Sequence, residues 1–269
     1  MTLSDIISKS YYGSVGHISS QKDIDTLRSY ISHNFSILQR FENIIAVTNY
    51  PDSSLNSKLY LASETENLWK EYFPNSIQIN NGASKGHYFG AAYNDNSLFN
   101  YCKENNIEWL CKSANDIILF SEILDKHVEE ADFYYLNGIG YGGMERYNFD
   151  LDKIILETFY PQTNFYILNV SKTNYLNDKT YLDQAYDHIK TIPNYNGKAW
   201  EYGYKSNETL LKEAVERNNL LKYHLISEEK YVTLLQFIKQ NHIHDCSHKN
   251  ILIDGVCHCH FINNQIIKI

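Results

Sequence analysis

The chain has 269 residues and a net charge of −8, with 43% hydrophobic and 21% charged residues. This composition is typical of a folded globular protein and excludes a largely disordered chain. The acidic balance and the absence of a long basic run argue against a nucleic-acid-binding protein, so no nucleic-acid partner is expected.

The amino terminus, the apolar runs and the cysteines indicate the compartment in which the protein is expected. Residues Met1 to Gly13 lack the apolar core of a signal peptide, and no apolar run reaches the roughly 20 residues that a membrane span requires. We therefore expect a cytoplasmic protein without a membrane span. The five cysteines are an odd and unevenly spaced set, which favours reduced thiols over a disulfide framework.

The first half of the chain alternates between helical and strand patterns. Apolar residues recur every three or four positions from Ile24 to Phe41, which predicts a helix with one apolar face. The β-branched run Ile44 to Thr48 predicts a buried strand, which ends before Pro51 because proline has no amide hydrogen. The further elements predicted in this half are a helix around Ser63 to Tyr72, a strand at Ser76 to Ile79, a helix from His87 to Asn105, and strands at Ile107 to Cys111 and Asp132 to Leu136.

The second half is less regular. A strand is predicted at Phe165 to Val170, and a helix that ends before Pro193. Ser206 has the position of a helix N-cap. The pair Asp254-Gly255 separates two β-rich runs and predicts a hairpin.

This order of elements predicts an α/β fold with a Rossmann-like, mainly parallel sheet, helices on both faces, and a less regular helical and β C-terminal part. No repeat or low-complexity linker interrupts the chain, so 1–269 is expected to form a single domain. In such sheets the ligand binds beyond the carboxyl ends of the strands. That rule selects four segments: Asn49 to Asp52, Asn81 to Gly86, Ser113 to Asp116, and the glycine-rich loop 137–143.

Asp116 stands in the most informative segment, Trp109 to Leu119, where apolar residues flank it on both sides. A carboxylate is costly to bury among apolar residues unless it is paired or binds a metal. Mg²⁺ and Mn²⁺ bind one or two carboxylates and complete their shell with phosphate oxygens and water. The alternative is a turn or helix N-cap aspartate.

The same segment resembles the strand and acidic motif of GT-A-fold glycosyltransferases, in particular the Lys-Thr-Asp-Asp-Asp-apolar pattern of β-1,3-galactosyltransferase-like enzymes. Here the pattern reads Lys112-Ser113-Ala114-Asn115-Asp116-Ile117, so that only Asp116 keeps a carboxylate. The resemblance extends over roughly residues 42 to 145. It takes in the turn Asn81-Gly82 with Lys85-Gly86, and the strand and glycine-rich loop from Asp132 to Tyr141.

The resemblance implies a GT-A-like glycosyltransferase that transfers a sugar from a UDP- or GDP-sugar to a glycan or small-molecule acceptor. Residues 42–145 would form the nucleotide-sugar half and residues 146–269 the acceptor half, with Mn²⁺ or Mg²⁺ as cofactor. The expected substrate-binding residues are Thr48, Asn49, Asp52, Asn81, Lys85, Asn115, Asp116, Gly138 and Trp200. For Lys85 the alternative is a solvated lysine, and for Thr48, Asn49 and Asp52 it is a structural role in a loop.

A catalytic base is expected among two glutamates. Glu201 follows Trp200, whose apolar ring can raise the pKa of a carboxyl group, and Glu145 follows the glycine-rich loop. A surface carboxylate is the alternative for Glu201.

The C-terminal cluster of histidines and cysteines offers metal ligands. Late-chain histidines bind the metal in many GT-A enzymes, so the resemblance adds His258 or His260 to the Asp116 site, with His248 as the runner-up. The same cluster also permits a structural zinc module, although its spacing is not that of common zinc knuckles.

Two further readings stay open. A catalytically silent sugar-nucleotide-binding protein of the same fold would explain Ala114 and Asn115 in place of carboxylates. A sugar-1-phosphate nucleotidyltransferase has a similar fold, but it is expected to carry a glycine-rich loop with a basic residue directly after its first strand. The stretch that follows the first predicted strand here is Asn49-Tyr50-Pro51-Asp52.

Overall fold

The structure is a computed structural model that describes residues 1–51, 55–114, 117–119, 121–137, 159, 161–173, 179–195, 199–227, 229–230, 233, 236, 250–253, 256–258 and 266–268. Its helices are α1 (Leu3–Ile7), α2 (Gln21–Leu38), α3 (Leu55–Tyr72), α4 (Gly86–Glu104), α5 (Lys179–Lys190) and α6 (Asn207–Arg217). Its strands are β1 (Ser10–His17), β2 (Asn43–Tyr50), β3 (Ile77–Ala83), β4 (Trp109–Ala114), β5 (Ile117–Leu119), β6 (Phe133–Asn137), β7 (Pro161–Asn169), β8 (Lys222–His224), β9 (Asn250–Ile253), β10 (Val256–His258) and β11 (Ile266–Lys268).

Seven strands form the main sheet, in the order β3-β2-β1-β4-β7-β6-β8. Every neighbouring pair is parallel except the two that involve β7, which runs antiparallel to β4 and β6. The carboxyl ends of β1 to β4 therefore lie at one edge of the sheet, together with the amino end of β7. This confirms the expected α/β class with a mainly parallel sheet.

Helices cover both faces of this sheet. On β2, Ile44 and Ala46 belong to a hydrophobic cluster that includes residues of α2 and α3, whereas Ile45 and Val47 belong to one that includes residues of α4 and α6. Because successive side chains of a strand point to opposite faces, a strand buried on both faces is apolar at every position. This is the pattern that predicted β2 from the sequence.

Strand β1 lies at the centre of the sheet between β2 and β4, yet the sequence patterns did not predict it. It contains two glycines, two serines and two tyrosines, so no apolar run marks it. Its position explains part of this composition. An added Cβ at Gly13 would lie 2.4 Å from Leu98 Cδ2, so α4 packs on β1 more closely than a larger residue would permit.

A second sheet has the order β11-β9-β10-β5. Strands β9 and β10 are antiparallel, which confirms the hairpin predicted around Asp254-Gly255. Strand β5 belongs to this sheet and not to the main one, and in its ladder with β10 His258 is paired with Ile117. Among the residues that the structure describes, no helix is long and apolar enough to cross a membrane.

Candidate functional site

A cavity of about 790 Å³ opens at the edge of the main sheet where β1, β2 and β4 end. The amino-terminal halves of α2 and α4 form its sides, and Thr163 of β7 contributes to its wall. Ligands of open α/β sheets bind at this edge, and pockets for small ligands have about 300–1,000 Å³. The cavity therefore has the location and the size of a ligand site.

Asn49, at the carboxyl end of β2, holds two walls of the cavity together. Its side chain is buried, and its Nδ2 donates to the carbonyl oxygen of Gly90 on α4 at 3.2 Å. Its Oδ1 lies 2.6 Å from Nδ1 of His17, the last residue of β1. The Asn49 carbonyl oxygen also accepts from the Ile18 amide at 3.0 Å. Asn49 thereby fixes the chain where it leaves β1.

A second buried asparagine, Asn94 of α4, supports the same end of β1. Asn94 Nδ2 donates to the carbonyl oxygen of Gly16 at 3.1 Å, and its Oδ1 accepts from Asn81 Nδ2 at 2.8 Å. Asn81 in turn accepts from the Ser97 hydroxyl at 2.9 Å. These amides are engaged with protein groups and hold the carboxyl end of β1 against α4.

The α2 side of the cavity presents hydrogen-bond acceptors. Asp23 Oδ2 accepts from the amide and hydroxyl of Ser19 at 2.8 and 2.6 Å and from the Ser20 hydroxyl at 3.0 Å. Burial alone would raise the pKa of Asp23, but these hydrogen bonds outweigh it and lower that pKa, so Asp23 is a carboxylate at neutral pH. The Thr26 hydroxyl donates to the Lys22 carbonyl oxygen at 2.9 Å, which leaves its lone pairs for the cavity. We call His17, Asp23 and Thr26 the acceptor wall.

The β4 side of the cavity contains a buried cation. The Lys112 ammonium donates to the carbonyl oxygen of Thr163 and lies 3.4 Å from Asp95 Oδ1, with both side chains at most 4% exposed. Asp95 Oδ2 accepts from Asn207 Nδ2 at 2.7 Å. Burial raises the pKa of Asp95, and the Lys112 charge opposes that increase. A buried ammonium requires such a partner, because an unpaired charge is strongly disfavoured inside a protein.

The amino terminus of α4 also faces the cavity. Gly86 has φ +82°, a conformation that favours glycine, and it lines the cavity together with Ser84. The Gly86 amide donates to the Ser84 hydroxyl at 3.2 Å. The first turn of α4 has no acidic residue, so the helix dipole favours a negatively charged group at this end. We call Lys112, Ser84 and Gly86 the donor wall.

Lys85 was expected to bind the substrate. Its ammonium lies 3.6 Å from the centre of the Tyr93 ring and 3.3 Å from Asp183 Oδ1 of α5. Lys85 is not part of the cavity lining. In this structure it ties α4 to α5.

Other expected site residues are spread between the cavity and the surface. Thr48 is buried in β2, one residue before Asn49. Trp200 and Glu201 belong to a 3₁₀ turn at Ala199–Tyr202, where the Glu201 side chain is exposed and does not line the cavity. The remaining candidates, Asp52, Asn115, Asp116, Gly138, Glu145 and His260, lie outside the described residues.

Sequence reasoning missed His17, Asp23 and Thr26 because it missed β1. The sequence did contain a signal for the amino terminus of α2, because Ser19-Ser20 followed by Asp23 has the spacing of a helix N-terminus. Because β1 is the first strand, the segment to compare with the glycine-rich loop of nucleotidyltransferases is the one after β1, and not Asn49 to Asp52. The segment directly after β1 is Ile18 to Gln21, and it contains no lysine or arginine.

The nucleoside-diphosphate-sugar pyrophosphorylase of Vibrio cholerae RC9 is a similar solved structure, with a TM-score of 0.39 and 8% sequence identity over 79% of this chain and 90% of the other. No protein-family profile and no curated protein sequence matches the chain. The activity therefore has to be argued from the residues of this chain.

Proposed function

We propose that the chain is a glycosyltransferase that binds a nucleoside diphosphate sugar in the cavity at the carboxyl ends of β1, β2 and β4. The observation that carries this proposal is the division of one cavity into an acceptor wall and a donor wall. A nucleoside diphosphate sugar has the matching division, because its nucleoside carries hydroxyl and N–H donors and its diphosphate carries only acceptors.

The two walls fix the orientation of the ligand in this proposal. A diphosphate beside Asp23 would meet a carboxylate of the same charge, which is unfavourable in a partly buried site. Beside Gly86 and Lys112 it would meet the positive end of the α4 dipole and an ammonium. The nucleoside therefore lies against the acceptor wall and the diphosphate against the donor wall.

A divalent cation at Asp116 is part of the proposal. Strand β4 ends at Ala114 on the cavity wall, and β5 begins at Ile117, so Asp116 lies between these two strands in the sequence. The pairing of His258 with Ile117 brings the backbone of β10 to the residue that follows Asp116. A carboxylate, an imidazole and phosphate oxygens are ligands that suit Mn²⁺, and carboxylate with phosphate oxygens suits Mg²⁺. When bound, the cation would neutralise the leaving diphosphate.

Sugar transfer also requires that the acceptor hydroxyl lose a proton, and Glu201 and Glu145 remain the proposed bases. Glu201 is exposed in its 3₁₀ turn, so a role for it requires that the acceptor bind between this turn and the cavity. We propose a glycan or a small hydroxyl compound as that acceptor.

The first test is binding. UDP, GDP, CMP and their sugars are each added with Mn²⁺, with Mg²⁺ and without metal, and the melting temperature and the Kd are measured. A ligand at 100 times its Kd stabilises the folded state by about 2.7 kcal/mol, so binding raises the melting temperature by several degrees. An unchanged melting temperature across the whole panel would refute the proposal.

The second test separates catalysis from silent binding. We expect Asp116→Ala to abolish hydrolysis or transfer of the nucleotide sugar, while Asp125→Asn, an exposed aspartate outside the cavity lining, keeps the wild-type rate. Nucleotide binding without any hydrolysis or transfer by the wild type would establish the silent-binding alternative. Stoichiometric zinc in the purified protein, lost on His258→Ala without loss of nucleotide binding, would support the structural zinc module.

A further inference from the structure

The hydrogen bonds of Asn49 determine the orientation of its amide group. The carbonyl oxygen of Gly90 can only accept, and it lies 3.2 Å from one terminal atom of the Asn49 side chain. That atom must be the nitrogen, because an oxygen there would face another oxygen without a hydrogen between them. The Asn49 oxygen is therefore the atom that faces His17.

This orientation determines the tautomer of His17. Asn49 Oδ1 accepts only, and it lies 2.6 Å from His17 Nδ1, so Nδ1 carries the hydrogen. In a neutral imidazole the other nitrogen then has a lone pair and no hydrogen. His17 is exposed and lines the cavity. Its Nε2 is therefore an acceptor that is available to a ligand.

The neighbours of His17 have the same hydrogen-bonding character. The Asp23 carboxylate accepts only, and the Thr26 hydroxyl has already given its hydrogen to the Lys22 carbonyl oxygen. Three side chains from β1 and α2 thus present acceptors and no donor to one part of the cavity. A ligand group that only accepts would leave His17 Nε2 without a partner and would lie beside the Asp23 carboxylate, and both effects cost free energy.

We infer that His17 is a specificity-determining residue that accepts a hydrogen bond from a donor of the nucleoside, either a ribose hydroxyl or a base N–H, and that Asn49 is the positioning residue that fixes its tautomer. The inference rests on the proposed function for the identity of the ligand. The tautomer of His17 is a property of the free protein and does not depend on that function.

The tautomer is tested by NMR of protein with ¹⁵N-labelled histidine rings at about pH 8. The His17 signals are assigned by their loss in His17→Ala, and they should show protonated Nδ1 and unprotonated Nε2. In Asn49→Leu the His17 ring should shift towards protonated Nε2. Protonated Nε2 as the main form in the wild type overturns the inference.

A second variant covers the case in which Asn49→Leu does not fold. An added Cβ at Gly90 would lie 3.1 Å from Asn49 Nδ2 and 3.2 Å from Ser84 Oγ, so Gly90→Ala should displace the amide. We expect the Nδ1-protonated fraction of His17 to fall in this variant as well. An unchanged ring spectrum in both folded variants would show that Asn49 does not position His17.

Ligand specificity is tested with nucleotides that lack one donor at a time. Isothermal titration compares UDP or GDP, whichever binds, with its 2′-deoxy, 3′-deoxy and N-methylated base analogues. One of these analogues should bind about tenfold more weakly to the wild type, as expected for the loss of one hydrogen bond. That difference should fall below about twofold in His17→Ala and stay tenfold in His33→Ala, an exposed histidine of α2 outside the cavity lining.

The outcomes distinguish the inference from the proposed function. Equal binding of all analogues, or a difference that survives in His17→Ala, overturns the inference and leaves the proposed function standing. If no nucleotide binds, the proposed function fails and the nucleoside assignment fails with it. The NMR result then still decides whether His17 presents an acceptor to the cavity. The position of the sensitive analogue identifies whether the donor belongs to the ribose or to the base.

Discussion

The ion pair between Lys112 and Asp95 provides a sharp test of the structure around the donor wall. The substitution Asp95→Asn keeps the size of the side chain, and its oxygen can still accept from Asn207. It removes the negative charge that lies 3.4 Å from the Lys112 ammonium, in a place where both side chains are at most 4% exposed. Lys112 would keep its hydrogen bond to the Thr163 carbonyl oxygen and lose its only charged partner among the described residues.

The expected cost follows from the distance and the burial. Two unit charges at 3.4 Å attract each other by about 5 kcal/mol at an effective dielectric constant of 20. Removing one partner of a buried pair typically costs about 3–5 kcal/mol, because the other charge remains buried without compensation. We therefore expect Asp95→Asn to lower the free energy of unfolding by about 3–5 kcal/mol. The double variant Asp95→Asn with Lys112→Met should recover a large part of this loss.

An exposed pair with the same geometry is the matched control. Asp187 and Lys190 are also 3.4 Å apart, but their side chains are 74% and 55% exposed. Asp187→Asn should therefore cost less than about 0.5 kcal/mol. The assay is urea unfolding followed by circular dichroism, with the free energy compared at equal m-values. Equal losses for Asp95→Asn and Asp187→Asn would refute the buried ion pair.

Three further predictions concern packing, pH dependence and thiol reactivity. Gly13→Ala should lower the free energy of unfolding by about 1–3 kcal/mol, because the new Cβ would lie 2.4 Å from Leu98 Cδ2 in the core. Urea unfolding measures this loss, and an unchanged free energy would contradict the close packing of α4 on β1. Hydrogen bonds from Lys179, Tyr93 and Lys85 lower the pKa of Asp183 from its ordinary 3.8 to about 2, so the stability that this carboxylate contributes is present above pH 3.8 and is lost as the pH falls towards 2. The difference in melting temperature between wild type and Asp183→Asn should therefore shrink from pH 7 to pH 3, and a constant difference would contradict this. Burial raises the pKa of the Cys111 thiol, so iodoacetamide should alkylate Cys111 only after denaturation. Peptide mapping measures the alkylation, and rapid alkylation of Cys111 in the native protein would show that the sheet opens around β4.

Strands that are apolar on both faces could be predicted from the sequence, whereas β1 could not. The run Ile44 to Thr48 identified β2 because each face of that strand packs under helices. In β1, Gly13 is required by the approach of Leu98, and the Tyr12 hydroxyl bonds the Tyr30 hydroxyl of α2. Both features are tertiary contacts, and no periodicity along the chain encodes them.

In the small sheet, too, local sequence signals predict some strand pairings and not others. The hairpin of β9 and β10 was predictable, because Asp254-Gly255 is a local turn signal between two β-rich runs. The pairing of β10 with β5 joins residues about 140 positions apart, and no local signal specifies it.

The rule that ligands bind beyond the carboxyl ends of parallel strands located Asn49 but did not specify its role. As a residue at a strand exit, Asn49 was expected to bind the substrate. In the fold, its two side-chain atoms are engaged with Gly90 and His17, so it acts on a ligand through the ring of His17. The difference arises because a residue at the carboxyl end of a strand can contact either the ligand or the neighbouring helix. The packing of α4 against β2 determines which of the two the Asn49 side chain contacts. Asn49 and His17 are in register on neighbouring strands and both line the cavity, and His17 is the one with an exposed side chain.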